Sequence, residues 1–270
     1  MIDRLAGLSM YDFGRLAAAN DILWQAIARF LRAAGMTGVP SALDRDRPIE
    51  QLWRDPRLLL AQSCGYPVMT SLLGRVRLVA TPCYRAAGCV GPRHGSALVV
   101  RADDGRADLA ALRGSRCAAN QRHSNTGMNL LRAAVAPLAD GQPFFRSVSW
   151  SGSHRRSLEM VAWGESDLAA IDAVTLAHLG RIEPELVGRT RILGWTEATA
   201  GLPFVTAGDT DDATVEILRA ALRRIASDPR HAALRDELLL DGFEILTETD
   251  YEEVVALERR AIDQRYPDLR

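Results

Sequence analysis

Short apolar runs and longer amphipathic segments alternate from one end of this chain to the other. The runs Leu58–Gln62 and Leu168–Ile171 are apolar at nearly every position, which is typical of strands that are covered on both faces of a sheet. The segment Leu16–Ala34 instead carries its apolar residues at helical spacing and stops at a glycine. This alternation predicts an α/β protein with mostly parallel sheets flanked by helices.

Less regular segments complete the predicted order of elements. We predict strands at Leu5–Tyr11, Val39–Leu43 and Phe144–Ser149, and helices at Gly127–Val135 and Ser157–Trp163. After residue 207 the pattern is helical and shows no further strand, so we expect this tail to pack back onto the first part of the chain. The sequence therefore predicts two lobes, residues 1–100 with 200–270 and residues 101–199, joined by two crossings that form a hinge.

Composition narrows the class of protein. With 270 residues, 47% of them hydrophobic, the chain is long enough for two cores. The net charge is −1 and the arginines are scattered, so we expect no nucleic-acid partner. No stretch is long and apolar enough to span a membrane, and Met1–Tyr11 is too polar and short to be a signal peptide. We expect no membrane insertion, and a cytoplasmic protein as the sequence stands, or a periplasmic one if a signal peptide was removed or missed.

Motifs for metal or nucleophilic chemistry are not visible. The chain has no Cys/His spacing for zinc, no Walker A run and no nucleophile elbow, so we expect no cofactor and no metal. Cys83 and Cys89 flank a short loop and are able to pair if the protein is exported. The spacing of His94 and Asp172 does not by itself indicate a catalytic pair.

Three predicted junctions between a strand and a helix carry small polar residues. In open α/β sheets, ligands bind at the carboxyl ends of strands, where helix starts present free N–H groups that bind oxyanions. Serine, threonine and aspartate are also favoured N-caps of any helix, so each junction equally fits a purely structural role. The polar residues at the junctions are Ser124, Asn125 and Thr126, then Ser153 and His154, and finally Asp172.

The side chains at these junctions suggest what kind of ligand they would bind. Hydroxyl groups donate to an anion, and His154 adds a donor whose charge changes near neutral pH. A carboxylate such as Asp172 repels a fully ionised ligand but accepts from one that carries a proton or an amino group. This favours protonated phosphate, phosphite or an aminophosphonate over sulfate. Tyr11 and Tyr66 follow strands of the first lobe, and each fits either an oxyanion contact or core filling.

At this point the chain resembles the phosphate/phosphonate-type periplasmic substrate-binding proteins of ABC transporters. The resemblance rests on Ser124–Gly127, Ser151–Leu158, Gly164–Asp172 and Ala97–Gly114, and it covers residues 58–207 best. It implies a two-lobed type II periplasmic-binding-protein fold whose lobes close on the ligand. Carried over by position, Ser124, Asn125 and Thr126 would hold ligand oxygens, His154 would donate to them, and Asp172 would accept from the ligand. Tyr11 and Tyr66 would be the aromatic contacts of the first lobe.

The resemblance implies a solute-binding protein that captures a phosphate-, phosphite- or phosphonate-like small anion in an interlobe cleft for ABC-type uptake. Its partner would be an ABC permease. The alternative is a cytoplasmic enzyme on the same fold, of the menaquinone-pathway or pyrimidine-precursor type, with His154 or Asp172 as the acid or base. Turnover of the bound compound would distinguish the enzyme from the binding protein.

Overall fold

The computed structural model describes residues 3–270 as two compact units. The first unit contains the described residues up to Arg85 together with Gly201–Tyr251. The second contains Ala86–Ala200 and Glu252–Arg270. The chain therefore passes between the units three times, whereas the sequence predicted two crossings. The predicted division also placed residues 86–100 and 252–270 with the first lobe, and the structure groups both with the second unit.

The strands are short and distributed along the whole chain. They are β1 (Leu5–Gly7), β2 (Leu58–Gln62), β3 (Val76–Tyr84), β4 (Cys89–Val90), β5 (Arg93–His94), β6 (Ser96–Arg101), β7 (Arg116–Ala119), β8 (Ser147–Trp150), β9 (Leu168–Asp172), β10 (Thr190–Trp195), β11 (Thr199–Ala200), β12 (Phe204–Ala207) and β13 (Leu240–Glu244).

Helices fill most of the intervals between these strands. They are α1 (Leu16–Ala33), α2 (Ile49–Arg54), α3 (Gly65–Met69), α4 (Leu130–Ala139), α5 (His154–Ala162), α6 (Ala173–Ile182), α7 (Pro184–Gly188), α8 (Asp212–Ser227), α9 (Ala232–Glu237) and α10 (Glu248–Asp263). Single turns of 3₁₀-helix lie at Ser9–Tyr11, Ala110–Leu112 and Pro229–His231, and a π-helix at Asn125–Asn129 precedes α4. No helix within residues 3–270 is long and apolar enough to cross a membrane.

The first unit is built on a five-stranded sheet with the strand order β1-β2-β12-β3-β13. The strands β1 and β2 are parallel, and β12 lies antiparallel between β2 and β3. Part of its core lies where Trp53 and Leu52 of α2 and Val68 of α3 pack against the buried residues of β2. Trp53 also donates from its indole N–H to the Gln62 carbonyl at 3.1 Å, which fixes α2 to the end of β2.

The second unit is built on another five-stranded sheet, with the order β10-β6-β9-β7-β8. The strands β9, β7 and β8 are parallel neighbours. Next to β9, β6 runs antiparallel to them, and β10 at the edge pairs antiparallel with β6. A small sheet of β11, β5 and β4 belongs to the same unit. Because β7, β8 and β9 point the same way, their carboxyl ends lie along one edge of the sheet, and each leads into a helix.

The predicted α/β class with helices flanking the sheets is confirmed, but the sheets are mixed rather than mostly parallel. In the first unit, β12 and β13 pair antiparallel with β3. In the second unit, β6 pairs antiparallel with both β10 and β9. Apolar runs show that a strand is buried on both faces, but they carry no information about the direction of its neighbours.

Two predicted strands differ from the structure for local reasons. The strand predicted at Leu5–Tyr11 ends at Gly7, and its last residues form a 3₁₀ turn. The segment Val39–Leu43 is not a strand, because side chains of α1 bind its backbone. Trp24 and Arg32 both donate to the Pro40 carbonyl, at 3.2 and 3.0 Å.

Two further differences involve the C-terminal part of the chain. The prediction of a tail without strands is wrong, because β13 pairs with the edge of β3. The Asp-Gly pair within β13 is unfavourable for a strand and hides it in the sequence. The strand predicted from Phe144 begins only at Ser147, because the N–H groups of Phe144 and Phe145 donate to the Arg270 carbonyl instead, at 2.8 and 3.1 Å.

Candidate functional site

Three helix starts lie along the edge of the second unit's sheet where β7, β8 and β9 end. A side chain caps each of them. The Ser124 hydroxyl accepts from the Gly127 N–H at 3.0 Å, and the Ser153 hydroxyl accepts from the Arg156 N–H at 3.1 Å. Asp172 Oδ1 accepts from the Thr175 N–H at 2.8 Å. All three side chains therefore make the cap hydrogen bond that the sequence offered as the structural alternative to ligand binding.

The helix that follows β7 starts with a wide turn. In the π-helix Asn125–Asn129, the Asn129 N–H donates at 3.0 Å to the Ser124 carbonyl, five residues earlier. Single π-turns inside α-helices are frequent at functional sites. This turn carries Asn125 and Thr126, two of the predicted ligand contacts, and both are buried.

Thr126 and His154 come together although they follow different strands. Nε2 of His154 lies 3.1 Å from the Thr126 hydroxyl oxygen. The backbone at this point is held from β6, because the Ser96 hydroxyl donates to the Thr126 carbonyl at 2.6 Å. His154 is the first residue of α5 and is partly exposed. The pair thus places a hydroxyl and an imidazole side by side at two neighbouring helix starts.

The imidazole of His154 is neutral at neutral pH. Burial lowers its pKa below the ordinary value, and the nearby charge of Asp172 only partly offsets this. The Asp172 N–H donates to its Nδ1 at 3.3 Å. A neutral ring donates or accepts at Nε2 according to which nitrogen carries its hydrogen. Because Nδ1 accepts from the Asp172 N–H, the hydrogen of the neutral ring is on Nε2, which is able to donate to an anionic oxygen.

Asp172 is joined to a residue that the sequence did not connect with it. His94 Nε2 lies 2.9 Å from Asp172 Oδ2, and the two residues are 78 positions apart. Both side chains are about 2% exposed. Burial alone would raise the pKa of the Asp172 carboxyl. The electrostatic attraction and the hydrogen bond of His94, with a further hydrogen bond from the Thr175 N–H, hold that pKa well below its usual range.

Asn125 takes part in a buried polar network. Its Nδ2 donates to the Thr199 hydroxyl at 2.9 Å, and its Oδ1 accepts from Asn129 Nδ2 at 3.0 Å. Asn129 in turn accepts from Arg132 at 2.7 Å. Both ends of the Asn125 amide therefore bond within the protein, and its contact with a ligand stays a prediction.

Asn120 is a further neighbour of the site that sequence reasoning missed. It follows β7 directly, and its Nδ2 lies 3.2 Å from His154 Nε2. Its Oδ1 accepts from the Gln121 N–H at 2.7 Å. Gly127 allows this arrangement, because a Cβ at that position would lie 1.9 Å from Asn120 Oδ1. The signal in the sequence is a glycine just inside a helix start, where a side chain must approach the backbone closely.

Gly127→Ala is expected to lower the unfolding free energy by about 1–2 kcal/mol, because the new methyl group displaces the Asn120 side chain. Urea unfolding of the two proteins measures the difference. Gly180→Ala in α6 is the matched control, since nothing lies within 4 Å of its added Cβ. Alanine at that position should leave stability unchanged or raise it slightly. Equal changes in unfolding free energy for the two substitutions would show that the close approach to Asn120 does not contribute to stability.

The predicted tyrosines belong to the first unit. Tyr11 and Tyr66 lie beyond the carboxyl ends of β1 and β2, which are parallel neighbours. Tyr11 is buried and packs edge-to-face on Tyr84, with 5.5 Å between ring centroids. Tyr84 also accepts from Gln62 Nε2 at 3.0 Å. Tyr11 thus fills the core, which was the alternative to an oxyanion contact. Tyr66 is half-buried. Ligand contact by either tyrosine stays a prediction.

A family model described as the phosphonate periplasmic substrate-binding protein of ABC transporters matches residues 58–251. The chain belongs to this family. The phosphonate-binding-protein family consists of substrate-binding transport proteins, so the prediction of a solute-binding protein is confirmed, and the alternative of an enzyme on the same fold is not supported. A comparison with curated protein sequences finds no match.

Solved structures of phosphonate-binding proteins share the fold. A binding protein component of an ABC phosphonate transporter from Pseudomonas aeruginosa is 14% identical, with a TM-score of 0.76 over 97% of this chain and 86% of that one. PhnD1 from Prochlorococcus marinus, in complex with methylphosphonate, is 14% identical, with a TM-score of 0.73 over 97% and 99%. A Xanthomonas citri protein bound to ATP is 18% identical, with a TM-score of 0.69 over 98% of both chains. These likenesses confirm the predicted periplasmic-binding-protein fold.

Proposed function

We propose that this chain binds a phosphonate-, phosphate- or phosphite-like anion at the helix starts that follow β7 and β8. The observation that carries the proposal is the 3.1 Å approach of His154 Nε2 to the Thr126 hydroxyl. Each group is able to donate to an oxyanion, and each stands at a helix start, where the positive end of the helix dipole also favours negative charge.

The strength of such a site follows from its donors. The Thr126 hydroxyl, His154 Nε2 and the first N–H groups of α5 supply hydrogen bonds to a charged ligand, each contributing about 1.5–3 kcal/mol. A few such bonds, after the cost of ordering the ligand, are sufficient for about micromolar affinity. His154 adds no positive charge of its own at neutral pH, so selectivity among anions depends on hydrogen bonds rather than on net charge.

In this proposal the chain delivers its ligand to an ABC permease and works in the periplasm. Membership of the phosphonate-binding-protein family supports both points, because the family is one of periplasmic components of ABC transporters.

Thr126→Val and His154→Ala are each expected to weaken binding of methylphosphonate at least about tenfold, because each removes one hydrogen bond to a charged ligand. Isothermal titration calorimetry with methylphosphonate, phosphate, phosphite and sulfate measures the loss. Thr126→Ser keeps the hydroxyl and should retain most of the affinity. His231→Ala, in the first unit, controls for the loss of a histidine elsewhere.

Unchanged affinity in both Thr126→Val and His154→Ala would place the ligand somewhere else on the protein. Failure of the unaltered protein to bind any of the four anions would overturn the proposal as a whole.

A further inference from the structure

The Asp172 carboxylate already accepts a hydrogen bond from His94. A ligand with an ammonium group would have to donate this same kind of bond. Nε2 of His94 lies 2.9 Å from Asp172 Oδ2, and the other carboxylate oxygen accepts from the Thr175 N–H at 2.8 Å. An ionised carboxylate only accepts, so the shared hydrogen belongs to His94. Both oxygens of Asp172 are therefore paired within the protein, and the side chain is buried.

Asp172 nevertheless lies next to the proposed anion site. Its backbone N–H donates to Nδ1 of His154 at 3.3 Å, and the opposite nitrogen of that ring is the one beside Thr126. Ser96, which holds the Thr126 carbonyl, is the direct register partner of Asp172 across β6 and β9. The His154 imidazole thus connects the Asp172 backbone with the proposed oxyanion contacts.

We infer that His94 is a specificity-determining residue that fits the site to simple alkylphosphonates and related anions without an ammonium group. The inference rests on the proposed function. An aminoalkylphosphonate gains affinity where a carboxylate accepts from its ammonium group, but here His94 takes that place. A ligand that displaced His94 would leave a buried imidazole N–H without an acceptor, which costs more than the new bond contributes.

This assignment differs from the expectation that Asp172 accepts directly from the ligand. The sequence shows the carboxylate but not its partner, since His94 comes from the two-residue strand β5. With His94 in place, Asp172 orients the imidazoles on either side of it and is a positioning residue. Without His94, the carboxylate would be open to a ligand donor.

The test compares the dissociation constants of methylphosphonate and 2-aminoethylphosphonate by calorimetry, for the unaltered protein, His94→Ala and His94→Gln. The unaltered protein should prefer methylphosphonate at least about tenfold. His94→Ala should shrink this preference by about tenfold or more. His94→Gln, whose side-chain amide is able to donate to Asp172, should keep the original preference.

The ratio of the two dissociation constants distinguishes a change in ligand specificity from general damage to the structure. General damage to the second unit weakens both ligands alike and leaves their ratio unchanged, so an unchanged ratio in His94→Ala would overturn the inference. If His94→Ala does not fold, measurements on the unaltered protein and His94→Gln still test the inference. A preference of the unaltered protein for 2-aminoethylphosphonate would overturn it. A preference for methylphosphonate that His94→Gln retains would support it. If the unaltered protein binds phosphate or phosphite but neither phosphonate, this inference alone is overturned. If it binds none of these anions, the proposed function is overturned together with the inference.

Discussion

Asp172→Ala is expected to lower the unfolding free energy by about 2–4 kcal/mol. The substitution removes the N-cap of α6, which is worth about 1 kcal/mol. It also leaves the buried His94 imidazole without its acceptor, which costs about 1–3 kcal/mol more. Urea unfolding at neutral pH measures the sum.

Asp211→Ala is the matched control for this prediction. Asp211 caps α8 by accepting from the Thr214 N–H at 2.7 Å, just as Asp172 caps α6, but it is exposed and holds no buried histidine. Its removal should therefore cost only the cap and the hydrogen bond that Asp211 accepts from the Thr214 hydroxyl at 3.0 Å. Equal losses in the two variants would mean that the His94–Asp172 hydrogen bond contributes nothing to stability.

Arg132→Ala should cost about 2–4 kcal/mol, because a buried guanidinium holds α4 to the end of the chain. Its Nη1 donates to the Pro267 carbonyl at 2.8 Å and its Nη2 to Asn129 at 2.7 Å, and it pairs with Glu258 at 3.4 Å. Truncation removes the donor to the Pro267 carbonyl and leaves the buried Asn129 Oδ1 without this hydrogen bond. Chemical unfolding measures the loss.

Arg155→Ala tests the importance of burial in this effect. Arg155 pairs with Glu183 at 2.7 Å and with Glu159 at 2.8 Å, but its side chain is 45% exposed. Exposed pairs of this kind contribute less than about 1 kcal/mol. A loss for Arg155→Ala as large as that for Arg132→Ala would contradict the view that burial sets the difference.

Much of the fold could be predicted because buried strands are visible in the sequence as runs of apolar residues. β2 and β9 are apolar except for their last residues, Gln62 and Asp172, and are buried along their full length, so a run of apolar residues was sufficient to locate them. The strand β13 was missed because it is an edge strand containing Asp and Gly, and only its pairing with β3 makes it extended. Local patterns thus predict buried central strands better than edge strands.

The candidate site could be predicted in part for a related reason. Small polar residues at helix starts are a local signal, and they led to Ser124, Thr126, Ser153, His154 and Asp172. The approach of Thr126 to His154 follows from the adjacency of β7 and β8. His94 lies on a two-residue strand whose place is set by pairing with β4 and β11, and no local pattern encodes such a contact.

For Asn125 the local pattern leaves two roles open, and ligand contact stays a prediction. Its position at a helix start suggested a ligand contact, but the amide bonds Thr199 and Asn129 in the interior. An asparagine has both a donor and an acceptor end, so it serves an internal network as readily as an anion site. The direction in which such a side chain points depends on the turn that carries it.

The wide turn at Asn125–Asn129 holds one residue more than an α-turn would. A relative whose helix begins with an ordinary α-turn therefore differs from this chain by a deletion at that point. Removing one residue there would rotate the preceding positions by about 100° around the axis of α4. If an alignment with such a relative places the gap in a neighbouring loop, the positions between that loop and the turn are displaced by one, and Thr126 is paired with the wrong residue.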